Sequence, residues 1–183
     1  MKRFALFPAL VISAMSLVQL SAEDPESQSA AAVGSLRALL AQQKLDAVAA
    51  RDPDHPGQYV AAFYMPGSQL LVVSAPYAVP AAIDKKIAAG QYMDAYVDLQ
   101  SVADHTGHFF VVDMQADGLR KALKLDEAFD STSVENGAAV SFDGKWEAQK
   151  LTEEQYNARF AQDDERYARM LGILRAALAR KTT

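Results

Sequence analysis

The sequence predicts an α+β fold: an antiparallel sheet that closes into a small barrel, flanked by helices and followed by a long C-terminal helix. Three observations support this prediction. Runs rich in Val, Phe and Tyr are separated by short turns such as Pro-Gly and Asp-Gly, rather than by repeated crossover helices. Apolar residues before the first of these runs recur at helical spacing. After Thr152 a single apolar stripe at helical spacing continues almost to the end of the chain.

The first residues are predicted to be an export signal, spanning residues 1–22. Lys2 and Arg3 precede a short apolar run, and Ala22 places a small side chain at the expected cleavage point. We therefore expect a mature chain that begins near Glu23 and is periplasmic or secreted, with no stable membrane anchor after cleavage. The competing interpretation is a retained anchor, which needs about 20 apolar residues.

The mature part is predicted to be a short leader and one domain. Residues 23–32 are polar or small, which is typical of a flexible leader, and residues 33–183 are predicted to form a single α+β domain. Helical spacing of the apolar residues predicts a helix over residues 29–43. Residues 45–50 either extend this helix or begin a strand.

A hairpin is predicted next, from two β-prone runs at residues 59–65 and 69–75. Pro66 and Gly67 lie between them, where Pro fixes the first turn position and Gly tolerates a positive φ. The segment 79–89, which begins near a proline and is followed by a glycine, is predicted to be a short helix.

Two further hairpins are predicted from alternation and turn residues. Residues 92–99 alternate between apolar and polar side chains, which predicts a half-buried strand, and residues 109–112 would form the returning strand. Residues 138–142 and 145–147 flank an Asp-Gly pair, which predicts another hairpin with a primed turn.

The last helix is predicted to begin with a capping box, because Gln155 follows Thr152 at the required spacing. Asp163 and Asp164 interrupt any heptad pattern, so the stripe favours packing on the domain's own sheet over a dimer seam. A homodimer through this helix stays open. The apolar stripe consists of Tyr156, Phe160, Tyr167, Met170, Leu171, Leu174 and Leu178.

Composition excludes several classes of function. The 183-residue chain has a net charge of −5, and removal of Lys2 and Arg3 with the signal takes it to −7. An acidic protein is poorly suited to nucleic acid or an anionic membrane surface. The absence of cysteine excludes disulfides, thiol catalysis, iron–sulfur clusters and thiolate zinc sites.

The order of helix, hairpin, helix and hairpin resembles the flavin-binding split barrel of the pyridoxamine-phosphate-oxidase-like group. The resemblance covers roughly Leu36 to Val112, with residues 45–50 as a first strand and Val60 to Ala75 as the hairpin. It implies a split barrel and an oxidoreductase that uses flavin or haem. Flavin-binding members usually place a Ser-x-Lys type phosphate clamp after this hairpin. This chain has Pro-Tyr-Ala-Val-Pro there instead, at residues 76–80.

The candidate cofactor residues are few. Ser74 offers the only hydroxyl at the position of the missing clamp. Arg120, Lys121 and Lys124 form a basic cluster that suits a phosphate or carboxylate. The competing interpretation of the cluster is a solvated helix or turn face. No cofactor is predicted from the residues themselves.

The candidate metal ligands are Asp104, His105 and His108, with Asp113 on the following strand. Imidazole and carboxylate groups suit zinc or copper, but a structural zinc site normally takes four ligands. The competing interpretation is an ordinary polar loop, so no metal is predicted. His55, in a proline-rich turn, is interpreted as a solvated loop residue rather than a general base.

No hydrolase or nucleotide-binding motif is present, and no catalytic residue is assigned. Tyrosines on predicted strands either line a ligand cavity or pack as half-buried structural residues. The sequence therefore predicts a non-catalytic exported domain that binds a small molecule or a protein, with the split-barrel oxidoreductase as the alternative. The tyrosines in question are Tyr59, Tyr64, Tyr92 and Tyr96.

Overall fold

A computed structural model describes most of the chain after residue 26. It covers residues 27–55, 58–65, 67–76, 80–89, 91, 94–95, 98, 109–122, 129–134 and 138–181. Three helices and six strands have defined bounds: α1 (Gln28–Gln43), β1 (Ala47–Arg51), β2 (Gln58–Met65), β3 (Gln69–Pro76), α2 (Pro80–Ala88), β4 (Phe110–Asp113), β5 (Ser131–Val134), β6 (Ala138–Ser141) and α3 (Glu153–Lys181).

The six strands form one antiparallel sheet in which spatial order follows chain order, from β1 to β6. The α+β class and the long C-terminal helix are therefore confirmed. The closed barrel is wrong, because β1 and β6 stay at opposite edges of the sheet. The physical reason is that both faces of the sheet are already covered. Each face buries its apolar side chains against helical segments, so the sheet has no need to curl around its own interior.

The larger core lies between one face of the sheet and the helices α1 and α3. Val60, Ala62 and Val72 contribute from the sheet, while Leu36 and Leu174 contribute from the two helices. The aromatic rings of Phe142 and Phe160 meet edge to face, with centroids 5.1 Å apart. This layer fixes the positions of the loops around α1.

The opposite face of the sheet packs against α2 and the segment after it. Ile83 from α2 and Ala95 are fully buried against strand residues such as Phe63 and Val73. The predicted strand at 92–99 is wrong at each residue described, since Asp94, Ala95 and Asp98 are helical.

A hydrogen bond of helical spacing supports this correction, because the Ala95 N–H donates to the Gln91 carbonyl at 3.0 Å. Alternation favoured a strand at this point, but the sheet already has two neighbours for every internal strand. A helical segment can still bury one small residue such as Ala95 on the sheet face. The burial of Ala95 against the sheet therefore outweighs the local alternation that favoured a strand.

The β1–β2–β3 region matches the sequence closely. The ambiguous segment 45–50 contributes β1, the Pro66-Gly67 hairpin joins β2 to β3, and the short helix is α2. Gly67 has a φ of 88°, as the turn requires. The returning strand at 109–112 is confirmed as β4.

The helix predicted over residues 29–43 is confirmed as α1, which begins one residue earlier, so the predicted leader overlaps it at residues 28–32. The hairpin around Asp143-Gly144 does not form, because β6 pairs with β5 and residues 146–150 turn instead. The Phe142 N–H donates to the Asp130 carbonyl at 2.8 Å, which extends the pairing with the β5 side.

The last helix begins as predicted. The Thr152 N–H donates to Gln155 Oε1 at 2.9 Å, and the Gln155 N–H donates to Thr152 Oγ1 at 3.2 Å. The residues of the apolar stripe are buried, except for a half-buried Phe160. Asp163 and Asp164 are buried as well and bond to other elements. In the described residues, no helix is both long and apolar enough to cross a membrane.

Candidate functional site

An open groove lies where α1 ends and the chain turns into β1, and we call it the α1–β1 groove. Its volume is about 630 Å³, which is within the range of roughly 300–1,000 Å³ usual for small-ligand sites. The charged and aromatic lining residues are Arg37, Lys44, Asp46 and Tyr64. The remaining lining is small or aliphatic: Gly34, Ala38, Leu40, Ala41 and Leu45.

The end of α1 shapes the mouth of this groove. Lys44 adopts the left-handed conformation, with φ 54° and ψ 44°, and the Leu45 N–H donates to the Leu40 carbonyl at 2.9 Å. This is a Schellman-type ending, in which glycine is the usual left-handed residue. A lysine here costs backbone strain and places a cationic side chain at the groove. Strain at a binding surface is a reason to look for function.

Arg37 is held rigidly on the opposite side. Its Nη1 donates to the Ala116 carbonyl at 3.0 Å, and its Nη2 donates to the Tyr64 hydroxyl at 3.3 Å. The guanidinium carbon lies 5.5 Å from the centroid of the Tyr64 ring, a cation–π distance. The Tyr64 N–H in turn donates to the Asp46 carbonyl at 2.7 Å. One wall of the groove is therefore preorganised before any ligand binds.

The groove combines two cations and one carboxylate above an apolar floor. In the described part of the chain, no hydrogen bond or ion pair joins the Lys44 ammonium or the Asp46 carboxylate to another residue. Such a lining can hold an anionic group against Lys44 and Arg37 while an apolar group lies on Leu40 and Leu45. Among its lining residues there is no serine, threonine or histidine to act as nucleophile or general base.

Two buried carboxylates brace the loop at residues 113–120, which carries the carbonyl that fixes Arg37, and a third buried carboxylate fixes the start of α1. Asp113 accepts hydrogen bonds from the N–H groups of Asp117 at 3.1 Å and Gly118 at 2.9 Å, and from the Tyr167 hydroxyl at 3.0 Å. Asp130 accepts from the Met114 N–H at 2.9 Å and the Arg120 N–H at 2.7 Å.

Burial dominates the titration of this pair. It raises the pKa of Asp113, and, together with the nearby charge of Asp113, it raises the pKa of Asp130 to about 7. Burial and the neighbouring carboxylate also raise the pKa of Tyr167 well above its usual value. Each carboxylate accepts two hydrogen bonds from loop N–H groups, so their role is to hold the loop.

The third carboxylate, Asp164 of α3, fixes the start of α1. It accepts from the Gln28 N–H at 2.6 Å, the Ser29 N–H at 3.1 Å and the Ser29 hydroxyl at 2.5 Å. The Ser29 oxygen accepts in turn from the Leu119 N–H at 2.8 Å. A carboxylate at a helix N-terminus satisfies free N–H groups and favours the helix dipole.

A separate charged cluster joins the β1–β2 turn to α3. Arg169 donates to both oxygens of Asp52, at 2.6 and 2.8 Å, and to Asp54 at 2.9 Å. His55 Nδ1 lies 3.1 Å from Asp52 Oδ2 and 3.2 Å from Arg169 Nη2. Burial disfavours the charge of Asp52, but the hydrogen bonds from Arg169, Asp54 and His55 outweigh it and hold the pKa well below its usual range.

This cluster is a structural clasp rather than a catalytic pair. Arg169 occupies both oxygens of Asp52, and its pKa is raised because it donates to that carboxylate. The orienting carboxylate of a catalytic histidine would not be saturated in this way by an arginine. His55 itself is exposed, as the sequence predicts.

The candidate cofactor residues do not form one site. Ser74 is buried, and its hydroxyl donates to Gln58 Oε1 at 3.0 Å. Arg120 is half exposed and lies 3.8 Å from Asp117. Lys121 donates to Asn157 and lies over the ring of Phe160, 4.8 Å from its centroid. Each side chain has a structural partner, and Lys124 lies outside the described residues.

The candidate metal ligands Asp104, His105 and His108 also lie outside the described residues, and Asp113 is occupied as described above. Within the described part of the chain, no three His, Asp or Glu residues are grouped as a metal site would require. Of the four tyrosines, Tyr59 and Tyr64 lie on β2, and Tyr64 lines the groove. Tyr92 and Tyr96 lie outside the described residues.

Sequence reasoning missed the groove itself. The helix was predicted from the spacing of its apolar residues alone. That spacing says nothing about what the polar residues Arg37 and Lys44 contact. The one available hint was that the helical pattern ends at Gln43 although no glycine follows to close the helix. Asp52 and Arg169 are 117 positions apart, which no local pattern can connect.

Comparisons with known proteins gave no significant match: no family model, no curated protein and no solved structure resembles this chain.

Proposed function

We propose that this protein is an exported, non-catalytic binding domain that takes up a small amphiphilic anion in the α1–β1 groove. The observation that carries the proposal is the lining: Lys44 and Arg37 stand beside an apolar floor that includes Leu40 and Leu45. A ligand with one carboxylate or phosphate group and a short apolar part matches this chemistry. The predicted signal peptide at residues 1–22 supports a role outside the cytoplasm.

Preorganisation supports binding at this place. Arg37 is fixed by Ala116 and Tyr64, so a ligand does not have to order the guanidinium on binding. Lys44 is exposed and strained, and its long side chain can close over an anion. The lining holds no serine, threonine or histidine, and no described residue pairs with the Lys44 ammonium or the Asp46 carboxylate to activate it, which supports capture rather than chemical conversion.

The oxidoreductase that uses flavin or haem stays a prediction of the split-barrel resemblance. The open sheet gives it no barrel interior in the described residues, and the Ser74 hydroxyl is already bonded to Gln58. The visible spectrum of the purified protein discriminates the two functions. A flavin or haem band that cofractionates with the protein would favour the oxidoreductase.

The binding proposal is tested with octanoate and its neutral counterpart 1-octanol, titrated into the mature protein and followed by the amide NMR signals of Lys44 and Tyr64. We expect octanoate to bind at least fivefold more tightly, because only the carboxylate engages the two cations. Lys44→Gln should weaken octanoate at least threefold and leave octanol unchanged.

The matched control is Lys145→Gln, which removes the same charge from an exposed residue outside the groove. It should leave both affinities unchanged. Equal binding of octanoate and octanol, or octanoate binding that is insensitive to Lys44→Gln, would overturn the proposal.

A further inference from the structure

The α1–β1 groove contains a carboxylate that opposes a simple anion. Asp46 lines the groove together with Lys44 and Arg37. It is exposed, and in the part of the chain that the structure describes no hydrogen bond or ion pair joins its carboxylate to another residue. An anion bound in the same groove is repelled by this negative charge. Asp46 therefore weakens the binding of a ligand whose only charge is negative.

The backbone places Asp46 beside the preorganised wall of the groove. The Tyr64 N–H donates to the Asp46 carbonyl at 2.7 Å, and the β1–β2 register, continued by one residue, places the two residues opposite each other. Side chains at opposite positions of antiparallel strands lie on the same face, with Cβ atoms about 4.5–5.5 Å apart. The Tyr64 hydroxyl in turn accepts a hydrogen bond from Arg37. The same aromatic residue therefore neighbours one cation and one carboxylate of the groove.

An apolar contact lies between the two opposite charges at the end of α1. Leu45 is flanked in the chain by Lys44 and Asp46, and all three residues line the groove. Leu45 is 37% exposed, whereas most large apolar side chains in the described residues are buried. A ligand that covers Leu45 therefore has a cation and a carboxylate of the protein next to its apolar part.

We propose that the ligand of the α1–β1 groove carries an ammonium group in addition to its carboxylate and its apolar part, and that Asp46 selects it. This inference rests on the proposed function, which already requires the carboxylate and the apolar part. It narrows the ligand to an apolar amino acid or a short apolar peptide. The ligand carboxylate binds Lys44 and Arg37, and its ammonium binds Asp46. Asp46 then attracts the correct ligand and repels a plain fatty acid.

The test compares two ligands with counterparts that lack only the ammonium: L-leucine with 4-methylpentanoate, and leucyl-leucine with N-(4-methylpentanoyl)-leucine. Each is titrated into the mature protein at about pH 6, where an α-amino group is protonated and a carboxylate is charged. The amide NMR signals of Lys44 and Tyr64 report binding. In at least one pair, we expect the ligand with the ammonium to bind at least about threefold more tightly. The pair with the larger preference identifies the source as a free amino acid or a peptide.

Asp46→Asn removes the carboxylate and keeps the shape of the side chain. It should abolish the preference for the ammonium and strengthen octanoate binding about twofold, because the repulsion is lost. Asp94→Asn is the matched control, since Asp94 is exposed and does not line the groove. It should leave every affinity unchanged. Circular dichroism shows whether each variant folds.

A second measurement does not depend on a variant. The ¹³C signal of the Asp46 carboxylate in the unmodified protein should shift when the preferred ligand is added, and it should shift less with the counterpart that lacks the ammonium. Equal affinities within both pairs, a preference that Asp46→Asn retains, or equal shifts of the carboxylate signal would overturn the inference.

Failure of this inference is distinguishable from failure of the proposed function. Octanoate binding that depends on Lys44, combined with equal affinities within both pairs, rejects the ammonium and leaves the proposed function in place. Octanoate binding that is insensitive to Lys44→Gln rejects the proposed function and this inference with it.

Discussion

Gly118 shows how closely the loop at residues 113–120 packs on α1. Its φ is +98°, and a Cβ at this position would lie 2.5 Å from the Cα and N atoms of Ala30. Both atoms belong to the helix backbone, so neither can move aside as a flexible side chain would. Glycine is required here by conformation and by space together.

We therefore expect Gly118→Ala to lower the free energy of unfolding by about 2–5 kcal/mol, through backbone strain and overpacking. Urea denaturation measures the change. Gly172→Ala is the matched control, because nothing lies within 4 Å of a Cβ at this position on α3. Alanine there should raise stability by up to about 1 kcal/mol. Equal midpoints for the two variants would contradict the close packing.

Asp130 should make stability depend on pH in an unusual direction. Burial, with the charge of Asp113, raises the pKa of Asp130 to about 7, so the folded state holds this proton more tightly than the unfolded state does. The resulting stability is fully present below about pH 4 and is lost as the pH rises through 7. This group alone contributes a slope of at most about 1.4 kcal/mol per pH unit.

Asp130→Asn should therefore reduce the decline in the free energy of unfolding between about pH 4 and 7, measured by urea titrations across that range. Asp94→Asn, at an exposed carboxylate, serves as the control. Asp52 acts in the opposite sense, because its pKa is lowered and its stability is lost only in more acidic solution. An unchanged slope in Asp130→Asn would mean that Asp130 is charged in the folded protein at these pH values.

At the scale of elements, Lys44 at the end of α1 lowers stability through backbone strain, while the proposed function needs its charge. Lys44 is in the left-handed conformation that glycine adopts at little cost. We expect Lys44→Gly to raise the free energy of unfolding by up to about 1 kcal/mol. Under the proposed function, the same variant should bind octanoate more weakly.

Thermal unfolding and the octanoate titration measure these two effects on one variant. Lys44→Gln separates them, since it removes the charge and keeps the strained side chain. Glycine that destabilises the protein would contradict the strain at this helix end. A Lys44→Gly variant that is stabilised but binds octanoate normally would support the strain at Lys44. It would also show that Lys44 does not contribute to binding.

Elements defined by neighbouring residues could be predicted from the sequence. The capping box of Thr152 and Gln155 and the hairpin that turns at Gly67 each depend on contacts within a few positions, and both are confirmed. The strand predicted at 92–99 was wrong because the alternation of apolar and polar residues does not show that this segment covers a face of the sheet as a helix. Likewise, the Asp-Gly pair at 143–144 favoured a hairpin between β6 and the residues that follow it. In the structure β6 pairs with β5 instead.

The site depended on contacts over longer distances. Arg37 reaches Ala116, 79 positions away, and Asp164 caps α1 from 135 positions beyond Ser29. No periodicity records such pairs. Composition did record their consequence, since a domain without cysteine has to fix its loops by other means. Here buried carboxylates such as Asp113 and Asp130 do so.

At the scale of the whole molecule, the described residues connect the two ends of the domain. The first described helix, α1, begins at Gln28, and its start is capped by Asp164 of the C-terminal helix. We therefore expect the packed layers to stay intact when residues 1–22 are removed.

Signal peptidase needs a small residue before the cut, so Ala22→Arg should block cleavage and leave Met1 on a product held at the membrane. Asp24→Arg places the same residue just beyond the cut and should be processed normally. N-terminal sequencing of the exported material distinguishes the two, with a mature start near Glu23 expected for the unmodified chain. A start near Glu23 in Ala22→Arg as well would place recognition elsewhere. Met1 on the exported unmodified protein would mean that the first 22 residues are not a cleaved signal.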